Sequence, residues 1–205
     1  VFDAINRKEK VCIFGDYDVD GSCATALIIK FFKSIDHPHF YLIPDREKDG
    51  YGLNVKLVKK IIKEQPKLII MVDNGSNSTK EINLLKENKI DALVIDHHQI
   101  NEPFPKANVI INPKKNNGYI KNDYMCATLL TFFFIDLLKD KIATNFHLND
   151  YLIYPLMATI CDVMPLRNVN RFLAIYALKK FDLKKVKSIK IIFDLLKNDK
   201  KISID

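Results

Sequence analysis

"KVCIFGDYDVDGSCATALIIKFFKSI", residues 10–35, opens as a short apolar β-run (10–14) and closes on a helical apolar pattern (21–35). Between them "GDYDVDG" (15–21) places Asp16, Asp18 and Asp20 at alternate positions. Carboxylates at that spacing repel one another in a folded chain unless something cationic lies among them. The stretch therefore predicts a strand, a turn carrying acid groups, and a helix.

The same alternation continues outward. Strand-like runs occupy 39–43, 67–72, 91–95 and 108–111, and helical patterns occupy 54–64 and 76–88, the latter with Ser or Thr available as an N-cap. Short, continuously apolar strands separated by helices imply βαβ units and a parallel sheet covered on both faces. Beyond a polar joint at 113–123 the pattern turns helical, over roughly 123–139, 149–160, 168–180 and 188–197. The predicted fold class is α/β: a parallel sheet flanked by helices (residues 1–112) with a mostly helical C-terminal part (123–205), together one catalytic domain spanning 1–205.

Composition narrows the setting. Hydrophobic residues make up 48% of the 205 residues and charged residues 28%, which is ordinary for a globular protein. No run approaches the ~20 apolar residues a membrane span needs, and "VFDAINRKEKV" has neither a signal-peptide core nor an initiating Met, as in a piece of a longer protein. Cys12, Cys23, Cys126 and Cys161 form no C-x-x-C pair and each adjoins an apolar run, so buried free thiols and a reducing, intracellular setting are expected, without disulfides or structural zinc. The net charge of +7 points weakly to a polyanion, because 28 lysines against 4 arginines also fit a compositional bias.

Polar residues then collect where the strands end. Asp16, Asp18 and Asp20 follow the first strand, Asp73 in "MVDNGSNS" the third, and Asp96, His97 and His98 in "VIDHHQ" the fourth. Ligands bind open parallel sheets outside the carboxyl ends of the strands, so these segments converge on one edge. Asp162 in "ATICDVMPL", after an apolar helix, joins them. Taken singly, an Asp after a strand is more often a turn or cap residue, and "HH" a surface pair. Together they form an oxygen and imidazole set that suits Mn²⁺ or Mg²⁺ better than zinc. So many carboxylates exceed one cation's needs, whereas two metals ~3.5–4 Å apart would use them for phosphoester hydrolysis.

"GDYDVDG", "VDNGSNS", "DHHQ" and "CDVMPL" resemble, in order, the four motifs of the DHH phosphoesterase superfamily. "PDREKDGYGLN" (44–54), "INPKK" (111–115) and "DVMPLRNVNR" (162–171) are similar to its RecJ-like branch of single-strand-specific 5′→3′ exonucleases. The resemblance implies that Asp18, Asp20, Asp73, His97 and Asp162 hold two divalent metals, usually Mn²⁺ with Mg²⁺ as the alternative. Asp73 would be the bridge, and Asp16 a further ligand, direct or through water. It implies that His98 faces the scissile phosphate, that Asp96 orients the imidazoles, and that Arg46 meets a substrate 5′-phosphate, for which a bidentate guanidinium is well shaped. The implied partner is single-stranded DNA with a 5′-phosphate in repair and recombination; no membrane is involved and a monomer is expected.

Three departures qualify the likeness. Many superfamily members carry a His where Phe14 stands, which would leave one metal site short of a ligand. The family's glycine-rich segment after "INPK" reads here as "YMCATLLTFF", without glycine. RecJ-like enzymes also continue into a DHH-associated substrate domain that this chain does not include. Two other readings stay open: another DHH phosphoesterase, such as an oligoribonuclease or cyclic-dinucleotide phosphodiesterase, and a metal-impaired binding or scaffold module.

Overall fold

A computed structural model of the chain describes residues 1–115 and 124–195. The greater part of the polar joint and the end of the last expected helix (196–197) lie outside the described residues. Five strands, β1 (Val11–Phe14), β2 (His39–Leu42), β3 (Leu68–Val72), β4 (Asp91–Ile95) and β5 (Val109–Ile111), form one sheet in the order β2-β1-β3-β4-β5. Every neighbouring pair is parallel. The helices are α1 (Phe2–Asn6), α2 (Val19–Ser34), α3 (Val55–Lys63), α4 (Thr79–Glu87), α5 (Ala127–Lys141), α6 (Ile153–Cys161), α7 (Asn168–Lys180) and α8 (Lys187–Leu195), with a 3-10 turn at Leu148–Tyr151. The α/β expectation holds, and among the described residues no helix is long and apolar enough to cross a membrane.

The strands read as unbroken apolar runs because alternate side chains enter two different cores. Val11, Ile13, Ile70, Val72, Leu93 and Ile95 pack on one face with α2, α5, α6 and α7. Cys12, Phe14, Ile69, Met71, Ala92 and Val94 pack on the other with Leu57, Val58 and Ile61 of α3 and Ile82 and Leu85 of α4. Phe14 is fully buried in this second core, so its position serves packing and not coordination.

Local differences from expectation have identifiable causes. Helix α2 starts at Val19, not at residue 21, because Asp18 is its N-cap, with Oδ1 accepting from the Gly21 amide at 2.8 Å. Helix α4 starts at Thr79, and Ser78 at the cap position makes no side-chain cap bond. The expected burial of all four cysteines fails at Cys161, which is exposed at the end of α6, whereas Cys12, Cys23 and Cys126 are buried. The short helix α1 carried too few residues to show a period.

Register sets the site. Phe14 pairs with Met71, and Val72 with Ile95. Two steps past Phe14 and one step past Val72 and Ile95, the chain presents Asp16, Asp73 and Asp96 in a row across three adjacent strands. The strand order reverses direction between β1 and β3, and crevices open at such switch points.

Candidate metal centre

Gly21 explains how the acid turn packs. A Cβ there would lie 2.5–2.7 Å from the Cβ, N and Cα of Asp16, so only glycine lets the first turn of α2 press against the strand end. Asp16 is buried and accepts from the Tyr17 amide at 2.7 Å through Oδ1. Asp20, fully buried in the first turn of α2, accepts the amides of Ala127 and Thr128, each at 2.7 Å, one on each oxygen. These are amides that the start of α5 leaves unpaired, so the glycine-free "YMCATLLTFF" segment supplies a helix N-terminus to the Asp20 charge.

Three sets of side chains bring ligand atoms within 4.8 Å of one another: Asp16, Asp18 and Asp73; Asp20, His97 and Asp162; and Asp73, His97 and His98. The structure thus brings together every predicted ligand, and Asp73 and His97 are shared between sets. His97 Nε2 lies 3.2 Å from Asp73 Oδ1, 3.2 Å from Asp162 Oδ2 and 3.5 Å from Asp20 Oδ2. One ring nitrogen cannot satisfy three carboxylates. Both oxygens of Asp73 and both nitrogens of His97 are buried without a properly directed hydrogen bond, as is Asp16 Oδ2. Buried polar atoms left in that state are costly, and an oxygen-rich set with one imidazole is what a hard divalent cation satisfies. The residues fit the group.

The charge pattern agrees. Burial, reinforced by Asp20 and Asp18, pushes the Asp73 carboxyl up to about 9. Burial works against a charged His97, but Asp162, Asp73 and Asp20 overcome it and push the imidazole up to about 10. Burial likewise raises Asp16 and Asp20 above the usual carboxylate range. Without a cation the cluster holds protons in its place. Asp73 also has a left-handed backbone, φ 62°, a conformation uncommon outside glycine.

His98 stands beside the cluster. Its Nδ1 is 2.8 Å from Asp96 Oδ1, and its side chain is 43% exposed, against 8% for His97. Asp96 also accepts the amides of Ser76, His97 and His98. Burial would raise this carboxyl, yet the bonds from His98 and Ser76 hold it below the usual range. Asp96 therefore orients His98 and not both imidazoles. The His98 Nε2 edge faces Tyr51, whose hydroxyl is 3.5 Å away, over a cavity of about 220 Å³ that Asn74, Ser76 and Glu81 also line. Arg46 lies outside the three ligand sets, exposed, with its guanidinium 5.6 Å from the ring centroid of Tyr17 between Asp16 and Asp18.

Sequence reasoning missed two supports. Buried Asn112 donates to Ser76 Oγ at 2.8 Å and to the His98 carbonyl at 2.9 Å, tying the β3, β4 and β5 ends together. Its place in "INPKK", directly after a strand, was the available signal. The Ala127 and Thr128 amides had none, since backbone donors leave no trace in residue type.

A parallel α/β sheet whose carboxyl edge gathers five acids and two histidines carries a candidate centre for divalent metal. The chain belongs to the DHH family: the family's N-terminal domain matches residues 10–159. Among curated relatives, the single-stranded-DNA-specific exonuclease RecJ of Haemophilus influenzae is 30% identical over 187 residues, covering 87% of this chain and 32% of its own length. RecJ of Bacillus subtilis is 29% identical, covering 86% of this chain and 22% of its own length. A crystal structure of exonuclease RecJ bound to manganese superposes with a TM-score of 0.79 at 25% identity, over 87% of this chain and 45% of that one. The chain thus spans about a third or less of the curated relatives' length.

Proposed function

We propose that this chain carries the catalytic centre of a RecJ-like nuclease, a hydrolase that cuts single-stranded DNA from a 5′-phosphorylated end during repair and recombination. One observation carries the reading: the ligand sets form two adjacent lobes, Asp16–Asp18 and Asp20–His97–Asp162, with Asp73 between them. A carboxylate with two oxygens free of hydrogen bonds is suited to bridge two cations, Mn²⁺ or Mg²⁺. Two divalent ions held by these residues would make hydroxide available near neutral pH and would offset charge on the phosphate oxygens.

The chain's own residues do the rest. Asp96 fixes the His98 Nδ1 as donor, leaving Nε2 to meet the phosphate in the cavity beside Tyr51. The Ala127 and Thr128 amides hold Asp20 still, so the cations would meet a preset geometry. Arg46 on the loop after β2 takes the 5′-phosphate. The three ligand sets need no side chain from position 14, and the curated relatives are exonucleases, so the scaffold and small-molecule readings are not favoured.

The test is Mn²⁺-dependent digestion of a 3′-labelled, 5′-phosphorylated oligonucleotide with product lengths followed over time. Stepwise shortening from the 5′ end, stopped by EDTA, is expected. Internal cuts first, or release from dinucleotides alone, would overturn the exonuclease reading.

A further inference from the structure

Helix α7 begins six residues after Asp162 in the sequence, and its outward face is unlike that of a solvated helix. At 3.6 residues per turn, Asn168, Arg171, Phe172, Ile175 and Lys179 fall on one stripe, and all five are exposed. Asn170, Leu173, Ala174 and Ala177 occupy the opposite, buried stripe. Phe172 is 68% exposed and Ile175 59%, so two large apolar side chains of the helix point outward. Phe172 stacks on Tyr176, with centroids 5.7 Å apart and planes 10° from parallel, which makes a flat two-ring slab. Among the described residues nothing covers it.

Charge identifies what would. Residues 163–181 hold four basic groups, Arg167, Arg171, Lys179 and Lys180, and no acid. Arginine is rare here, with four in the whole chain, and two of the four lie in this segment. A further exposed apolar residue, Val163 (86% exposed), directly follows Asp162 in the chain. By contrast, the exposed side of α3 carries Lys56, Lys59, Lys60 and Lys63 without an aromatic ring, an ordinary solvated face. Aromatic platforms interleaved with cations are the pattern that holds single strands, through base stacking and phosphate contacts.

We infer that the outer face of α7, centred on Phe172 and Arg171, is a binding surface for single-stranded DNA leading to the metal centre. The choice of ligand rests on the nuclease reading above. The experiment measures binding of 3′-fluorescein-labelled oligo-dT to the full 205-residue chain by anisotropy in EDTA, where no hydrolysis intervenes. Phe172→Ala should weaken binding roughly 5- to 100-fold. Phe172→Trp should keep it, and Arg171→Ala should lower the slope of log affinity against log salt by about 0.7. Lys59→Ala serves as the control and should bind as the unaltered chain does.

Unaltered binding by Phe172→Ala and Arg171→Ala overturns the inference, as does an unaltered chain that binds no oligo-dT. Self-association in sedimentation that Phe172→Ala abolishes would also overturn it, giving the face to a second copy. Mn²⁺-dependent cleavage of a 5′-phosphorylated dinucleotide by the unaltered chain tests the nuclease reading separately. Loss of oligo-dT affinity in Phe172→Ala without any such cleavage would leave the surface standing and remove the nuclease.

Discussion

His97 Nε2 lies 3.2 Å from Asp162 Oδ2, and this contact joins the end of β4 to the end of α6. It makes the helical layer part of the centre, because without Asp162 the second lobe would keep only Asp20 and His97 from its set. Asp73 and His98 then have separable roles. Asp73→Ala should abolish Mn²⁺ uptake and hydrolysis together, since water cannot replace a carboxylate that spans both lobes. His98→Ala should leave Mn²⁺ bound and lower the rate ~10²–10⁴-fold, the usual range for a group acting in proton transfer. Calorimetric titration with Mn²⁺ decides: equal loss of metal in both variants would refute the division.

Proton competition gives the second prediction. Burial pushes the Asp73 carboxyl up to about 9 in the fold from the ordinary 3.8, so the stability it lends the metal-free chain is full below pH 4 and lost as pH rises toward 9. His97, raised to about 10 from 6.5, acts in the same direction at higher pH. Urea unfolding in EDTA should therefore show stability falling between pH 5 and 9, and Mn²⁺ should restore most of it at the alkaline end. Mn²⁺ affinity should rise over the same window, with protons released on binding. Calorimetry in two buffers of different ionisation heat reads that release; no difference between buffers would mean that the cluster is already deprotonated.

The bond from Asp20 to α5 can be tested by an isosteric change. Asp20→Asn keeps one acceptor oxygen but turns an amide NH₂ toward either the Ala127 or the Thr128 amide. One buried backbone donor is left unpaired, at a cost of about 1–3 kcal/mol. Urea midpoints of the EDTA-treated chain measure this without metal as a confounder. An unchanged midpoint would show that the start of α5 finds another partner.

What the sequence revealed and what it hid divide along physical lines. β1, β3 and β4 were legible because two-sided burial makes their residues uniformly apolar, and polar side chains mark where burial stops at Asp16, Asp73 and Asp96. The pairing of Asp20 with Ala127 and Thr128 was not legible, because it joins distant segments through backbone amides. Phe14 stands where the family resemblance implies a His, and the strand's alternation places its side chain in the α3 and α4 core. Apolar residues lie all round α7, so the periodicity found the helix without showing that Phe172 and Ile175 face outward. Left-handed backbone also escapes residue type, since valine is an unfavoured choice for it.

Val163 makes that last point measurable. It follows α6 with φ 53° and donates to the Ile160 carbonyl at 3.1 Å, while Met164 donates to Thr159 at 2.9 Å, the pairing of a glycine-type helix stop. A β-branched residue there is strained. Val163→Gly should raise stability by roughly 1 kcal/mol, the relief of left-handed strain less the entropy glycine adds to the unfolded chain. A lower melting temperature in the variant would mean that the exposed valine side chain makes a stabilising contact.

Arg46 tests the end preference. Its guanidinium lies over Tyr17, between two acid ligands, so it is placed beside the centre without belonging to any ligand set. Charge-assisted hydrogen bonds to a phosphate are among the stronger polar contacts, and a planar fork makes two of them. Arg46→Ala should cut the preference for a 5′-phosphate over a 5′-hydroxyl end by roughly 10- to 100-fold, with Mn²⁺ uptake unchanged. Arg46→Lys should recover only part of it, because an ammonium keeps the charge and loses the fork. Initial rates on paired 5′-phosphate and 5′-hydroxyl oligonucleotides at fixed salt provide the measurement. If Arg46→Ala slows both substrates equally, Arg46 is holding Tyr17 and the acid turn in place, and the 5′-phosphate must be bound by other residues.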